Sequence, residues 1–241
     1  MATFLLVHGA MHGGWCWKKL TPLLEAEGHR VLTPTLTGMG ERYHLLTPET
    51  GLSTHVLDLL GMLFFEDLSD VIAVGHSYAG MVISQLADRA ADQLSGLIFL
   101  DAYIGHDGAA MWDFQPEETR SLYLRQAAEG GDGWRIPPSD AIVEALGITK
   151  EEDRAWVRPR LTDFPVRCEH DTLSLFSGGF DRLPKGYIHC TESPLAPKFR
   201  PFYREAEEED WPCRMIPASH DAMVTHPAFL AQCLHEMAGE L

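Results

Sequence analysis

Residues 71–80 read VIAVGHSYAG. Four apolar residues, Val71 to Val74, run into Gly75; Ser77 follows, then Ala79 and Gly80, and the chain continues as MVISQLA. Two readings compete for this stretch. A serine at the start of a helix is a common N-cap. A serine in G-x-S-x-small between a buried strand and a helix is also the pattern of a sharp corner that lifts a nucleophilic hydroxyl, with small residues at −2 and +2 because strand and helix nearly touch there. The ten residues alone do not choose between them.

Working outward, strand-length apolar runs alternate with helical stretches. TFLLVH (3–8), HRVLTP (29–34), DVIAVG (70–75) and LSGLIFLD (94–101) read as strands, and 15–27, 52–66 and 78–91 as helices. Leu20, Leu23 and Leu24 share one helical face, as do Val56, Leu59, Leu60 and Leu63. Strands alternating with helices predict βαβ units, and strands apolar on both faces predict a sheet covered on both sides. The expected fold is therefore α/β, a mostly parallel doubly wound sheet. The alternation stops after Ile104 and resumes with strands KGYIHCT (185–191) and CRMIP (213–217) and helices over 198–209 and 226–238. Residues 105–185 hold Gly130-Gly131, Pro137-Pro138, Gly178-Gly179 and scattered aromatics, with helical stretches at 117–128, 139–147 and 150–157 and no clear strand. Residues 1–104 and 186–241 are thus expected to form the core, and 105–185 a helical cap inserted near the carboxyl ends of the strands.

The chain has 241 residues, 45% hydrophobic and 22% charged, enough for one domain with a sizeable core. Its net charge of −16 disfavours nucleic acid and anionic membrane surfaces as partners. No apolar run reaches the ~18 residues of a membrane span, and MATFLLVHGA lacks the basic start of a signal peptide. The cysteines at 16, 168, 190, 213 and 233 show no C-x-x-C spacing, so neither a disulfide framework nor a zinc site is indicated. A cytoplasmic protein with buried free thiols and no metal is expected. EAEEED (205–210) reads as a solvated helix face.

Two further stretches bear on Ser77. HGAMHGGW (8–15) follows the first strand and is glycine-rich, without G-x-G-x-x-G or P-loop spacing. Next to a nucleophilic corner, such a loop supplies one oxyanion donor and the residue after the nucleophile the other, here the N–H groups of Ala10 and Tyr78. PASHDAMVTHP places His220 between a strand and the last helix, where an imidazole can serve a serine hydroxyl as base. His12, in the glycine-rich loop, and Trp134, in the cap stretch GDGWRIPP, are the expected substrate contacts.

On HGAMHGGWCW, LTGMGER (36–42), GHSYAGMV, LDAYI and SHDAMVTHP, the chain resembles the α/β-hydrolase superfamily. Within it, the chain is most similar to small bacterial esterases grouped with plant methylesterases and hydroxynitrile lyases. The resemblance implies a Ser–His–acid triad, no cofactor, and hydrolysis of small to medium carboxylic esters through an acyl-enzyme on Ser77. Carbamates and activated amides stay open, as does a homodimer. Two alternatives accompany this reading: a hydroxynitrile-lyase-like or other C–C/C–O lyase on the same triad, and a non-catalytic ligand-binding relative. The plant lyases carry a lysine after the catalytic histidine and a threonine in the oxyanion loop; here Asp221 follows His220 and Gly9 follows His8, which favours hydrolysis. The acid has two candidates. Glu192, 28 residues before His220, matches the place of the methylesterase aspartate. Asp101, 24 residues after Ser77, matches the earlier strand end used by pancreatic lipase and haloalkane dehalogenases. A carboxylate closing a buried strand needs a partner, and His220 would be one, so Asp101 is preferred and Glu192 kept as the alternative.

Overall fold

A computed structural model describes all 241 residues. Six parallel strands form the central sheet: β1 (Thr3–Val7), β2 (Arg30–Leu32), β3 (Val71–His76), β4 (Leu94–Leu100), β7 (Lys185–Cys190) and β8 (Cys213–Ile216), in the order β2-β1-β3-β4-β7-β8. Every residue of β3 and β7 is buried, and β3 accordingly opens as the apolar run VIAVG, whereas the edge strands β2 and β8 are partly exposed. The chain steps from β1 outward to β2, then returns past β1 to β3. Right-handed crossovers put α1 (Thr21–Ala26) on one face and α2 (Leu52–Phe65) and α3 (Ala79–Ala90) on the other. Accordingly α2 packs on α3, while α1 packs on the last helix, α11 (Pro227–Met237). The reversal of strand order falls between β1 and β3, the place where open α/β sheets bind ligands beyond the carboxyl ends of their strands.

The stretch expected as one helix over 15–27 is instead a 3-10 turn, Gly14–Lys19, followed by α1, because Pro22 in the first turn has no N–H to continue a longer helix. The chain between β4 and β7 carries α4 (Glu117–Gly130), α5 (Asp140–Ala145), α6 (Glu151–Val157), α7 (Arg167–His170) and α8 (Gly179–Arg182). It also holds a two-stranded antiparallel ladder, β5 (Arg135–Ile136) with β6 (Phe164–Pro165), where no strand was expected. At two residues per strand the ladder is too short to leave an alternating pattern. After β7 come α9 (Ala196–Glu208) and, before α11, the single turn α10 (Ala222–Thr225). The cysteines are all free; four are buried and Cys213 is partly exposed. No helix is long and apolar enough to cross a membrane.

Candidate active site

Ser77 stands at the corner between β3 and α3 with φ +55°, a left-handed conformation that costs a non-glycine residue about 1–3 kcal/mol. Three backbone hydrogen bonds impose it: Ser77 N–H donates to the Leu100 carbonyl (3.2 Å), and the Ser77 carbonyl accepts from Gly80 (3.1 Å) and Tyr103 (3.3 Å). The small flanks have a steric cause. A Cβ on Gly75 would lie 2.7 Å from the Ala79 carbonyl oxygen. One strand over, a Cβ on Gly9 would lie 2.9 Å from Ser77 Cβ and 3.0 Å from His76 Nδ1, so the loop after β1 can hug the serine only as glycine. The N–H groups of Ala10 and Tyr78 donate to no protein acceptor, and both residues line the cavity that contains Ser77.

His220 lines the same cavity. Its Nδ1–H donates to Asp101 Oδ2 at 2.7 Å, its ring stacks on Phe199 (centroids 5.0 Å apart, planes at 12°), and its Nε2 is left without a protein partner. Asp101 is fully buried, with φ +42°, and its other oxygen accepts from His189 Nδ1 (2.8 Å) and the Cys190 N–H (3.1 Å). Burial alone would raise its pKa; the hydrogen bonds and charges of His189 and His220 outweigh that and hold the carboxyl below its usual value. Glu192 makes no hydrogen bond to His220, whose Nδ1 is taken by Asp101. It is exposed after β7 and lines a separate surface depression with Gly147 and Ser193.

Buried histidines brace this arrangement. His76 Nε2–H donates to the His220 carbonyl (3.0 Å), and desolvation keeps His76 neutral by pushing its pKa well down. His8, lowered to about 3 by burial, donates from Nδ1 to the Gly9 carbonyl and accepts the Leu36 N–H on Nε2. His55, lowered to about 4 for the same reason, donates to the Thr37 carbonyl and so accepts from the Tyr78 hydroxyl, 2.9 Å away. His12 is different. Both its nitrogens face acceptors, Nδ1 the Ala10 carbonyl (2.7 Å) and Nε2 the buried Asp221 carboxylate (3.0 Å), an arrangement that favours the doubly protonated ring. Burial opposes that charge, but Asp221 prevails and raises the His12 pKa, while its own is lowered. His12 thereby ties the loop after β1 to the residue next to His220, besides lining the cavity.

Trp134, expected at the substrate, lies elsewhere. It lines an open depression with Gly38, Tyr43 and Arg135 and is absent from the Ser77 cavity. The turn before it, with Asp132 (φ +54°) and Gly133 (φ +82°) both left-handed, turns Trp134 away and leaves Ile136 to enter the cavity. Sequence reasoning missed His189, although a lone histidine inside the buried strand KGYIHC was a readable signal. It also missed the polar residues Gln115, Glu169 and Lys198, which come from three separate segments and line the cavity together.

The alpha/beta hydrolase family model matches residues 4–232. The chain belongs to the alpha/beta hydrolase family. This hydrolase is 35% identical over 239 residues to the carbendazim hydrolyzing esterase of Nocardioides sp. (strain SG-4G), covering 97% of this chain and 98% of that one. It is 29% identical over 262 residues to methylesterase 10 of Arabidopsis thaliana, covering 98% and 92%. Among solved structures, an extracellular alpha/beta-hydrolase from a Paenibacillus species shares the fold with a TM-score of 0.87 at 21% identity, covering 98% of this chain and 99% of that one. Family and relatives together make the hydrolase a carboxylesterase-type enzyme acting on small-molecule esters. The lyase alternative is the less supported one.

Proposed function

We propose that Ser77, His220 and Asp101 form the triad of this esterase and that residues 105–185 act as its cap. The supporting observation is the His220 ring, held by Asp101 at 2.7 Å with Nε2 free in the cavity of Ser77. In this reading Ser77 Oγ attacks the substrate carbonyl carbon while His220 Nε2 takes the hydroxyl proton. The oxyanion is received by the N–H groups of Ala10 and Tyr78. Asp101 stays ionised and stabilises the imidazolium, which then protonates the leaving alkoxide. Water, deprotonated by the same nitrogen, releases the acid. The unliganded Ser77–His220 pair is not hydrogen-bonded, and closure of that contact accompanies substrate binding.

The cavity measures about 100 Å³ and is lined mostly by apolar side chains. That is smaller than the ~150 Å³ that holds a benzene ring, so short acyl and alkoxy groups fit first and a ring enters as the cap shifts. Carbamates use the same machinery, and carbendazim belongs in the substrate panel because one relative is named for hydrolysing it. His12 serves both as a substrate contact lining the cavity and, through Asp221, as the tie that holds the oxyanion loop in place. Two finer readings complete the proposal. A cytoplasmic location is supported by five unpaired thiols; cell fractionation tests it. A homodimer is supported by the exposed Phe64 and Phe65 at the end of α2; sedimentation equilibrium tests it. For the triad, phenyl acetate turnover with wild type and Ser77→Ala is the test: a loss of about 10⁴-fold or more in kcat is expected. A folded Ser77→Ala protein with wild-type turnover overturns the triad.

A further inference from the structure

Four polar side chains that border the Ser77 cavity and have no part in the hydrolytic steps are joined in one cluster: Tyr103, Gln115, Glu169 and Lys198. Lys198 Nζ donates to Gln115 Oε1 at 2.7 Å. The Gln115 amide nitrogen donates to the Tyr103 hydroxyl (3.0 Å) and to Glu169 Oε2 (3.3 Å). A cation and a carboxylate are thus held apart across one amide group, with no direct ion pair between them. Tyr103, Gln115 and Glu169 are at most 4% exposed, and the Lys198 ammonium lies 5.3 Å from the Tyr103 ring centroid and 5.8 Å from that of Phe199.

The bonding capacity of this cluster is not used up. Lys198 spends one of three N–H donors, Glu169 accepts a single hydrogen bond, and the Tyr103 hydroxyl accepts one but donates none. Buried polar groups are ordinarily satisfied. A purely structural charge pair would close on itself, since a buried pair offsets its desolvation only with close geometry and full hydrogen bonding. Burial moves the two charges toward neutrality, Glu169 up to about 7 and Lys198 down to about 8. The spare donors and acceptors belong to residues that border the substrate space.

The chemistry of a matching group follows. A substrate carboxylate would satisfy Lys198 and meet Glu169 as a like charge; an ammonium would do the reverse. A neutral unit with an N–H beside an acceptor oxygen or nitrogen serves both at once, as the Gln115 amide already does. We propose that Glu169 and Lys198 form a recognition subsite for such a unit, so that the preferred substrates are esters or carbamates carrying an amide-like N–H and acceptor in their non-reacting part. This rests on the esterase reading of the same cavity.

Methyl N-acetylglycinate and methyl levulinate test it. They differ only by N–H in place of CH₂, and both are small. The kcat/KM of wild type is measured for each and divided by the hydroxide-catalysed rate of that ester, which removes the difference in intrinsic reactivity. A corrected preference of at least tenfold for the N-acetylglycinate, carried mainly by KM and reduced at least fivefold in Glu169→Gln, is the expected result, with KM raised at least fivefold for both esters in Lys198→Met, because both carry the acceptor carbonyl. A site built to hydrogen-bond a donor rejects the analogue lacking it by such factors or more. A wild-type preference below threefold with both esters hydrolysed overturns the subsite and leaves the esterase reading intact. A preference that survives in folded Glu169→Gln, or KM values unchanged for both esters in folded Lys198→Met, overturns the assignment to these residues. Should either variant fail to fold, the other and the wild-type ratio decide. Failure of wild type to hydrolyse either ester or phenyl acetate overturns the esterase reading itself, and the subsite with it.

Discussion

Asp101→Asn reverses one hydrogen bond, and the structure says which. Asp101 Oδ1 accepts from His189 Nδ1 and from the Cys190 backbone N–H, while Oδ2 accepts from His220 Nδ1. A backbone N–H cannot become an acceptor, so the asparagine oxygen must take the Oδ1 place and its NH₂ must face His220. The flipped amide would leave the buried Cys190 N–H against a donor, at a cost of about 1–3 kcal/mol. Facing an NH₂, His220 Nδ1 becomes an acceptor and the ring proton moves to Nε2, the nitrogen that takes the proton of Ser77 in the proposed triad. The expected loss is about 10³–10⁴ in kcat, the size of a wrong-tautomer defect in a serine hydrolase, or roughly 4–5.5 kcal/mol in the barrier. KM for phenyl acetate should stay within about threefold, since binding does not use the tautomer. The assay is steady-state hydrolysis of phenyl acetate with folding checked by circular dichroism, run beside Glu192→Gln. The exposed Glu192 should cost less than about threefold. A folded Asp101→Asn protein that keeps more than a tenth of wild-type kcat, or a larger loss in Glu192→Gln, refutes this reasoning.

Gly9→Ala should abolish turnover in a protein that still folds, because its Cβ would sit 2.9 Å from Ser77 Cβ and push the oxyanion loop off the serine; wild-type kcat in this variant would refute the close-approach argument. Asp221→Asn should lower stability by about 3 kcal/mol, since it strands the buried charge of His12, as read from denaturant midpoints. With the His12 pKa raised above 6.5, the pair contributes fully below that pH and loses its contribution as pH rises through the folded value, while Asp221 and Asp101, held below 3.8, lose theirs as pH falls through their folded values. Wild type should therefore lose stability on both sides of this window. Asp221→Asn should show a flatter alkaline limb, and an unchanged limb would detach it from His12. Trp134→Ala should shift kcat/KM less than twofold, because Trp134 lies outside the Ser77 cavity, with the Arg135 guanidinium 5.8 Å from its ring; a changed substrate preference would return it to the site.

The parts of this protein that were legible in its sequence are those in which neighbouring residues constrain one another. VIAVGHSYAG specifies a strand, a corner and a helix because only small residues allow the strand and helix to approach, and the same logic reserves position 9 for glycine. Alternating apolar runs and helical stretches specify a covered parallel sheet, since a strand buried on both faces has few polar positions. Ser77 and His220 were readable because each follows a strand at the carboxyl edge where such sheets bind ligands. The choice between Asp101 and Glu192 was readable only as a preference for Asp101. Both close a strand, and only the pairing of β4 with β7 sets Asp101 between His189 and His220 while Glu192 faces outward. Likewise two left-handed residues before Trp134 decide that Ile136, not the tryptophan, enters the cavity. The Glu169–Gln115–Lys198 cluster joins segments up to 83 residues apart. No periodicity or spacing records such a meeting, because it depends on how distant segments pack and on which buried charge finds a partner there.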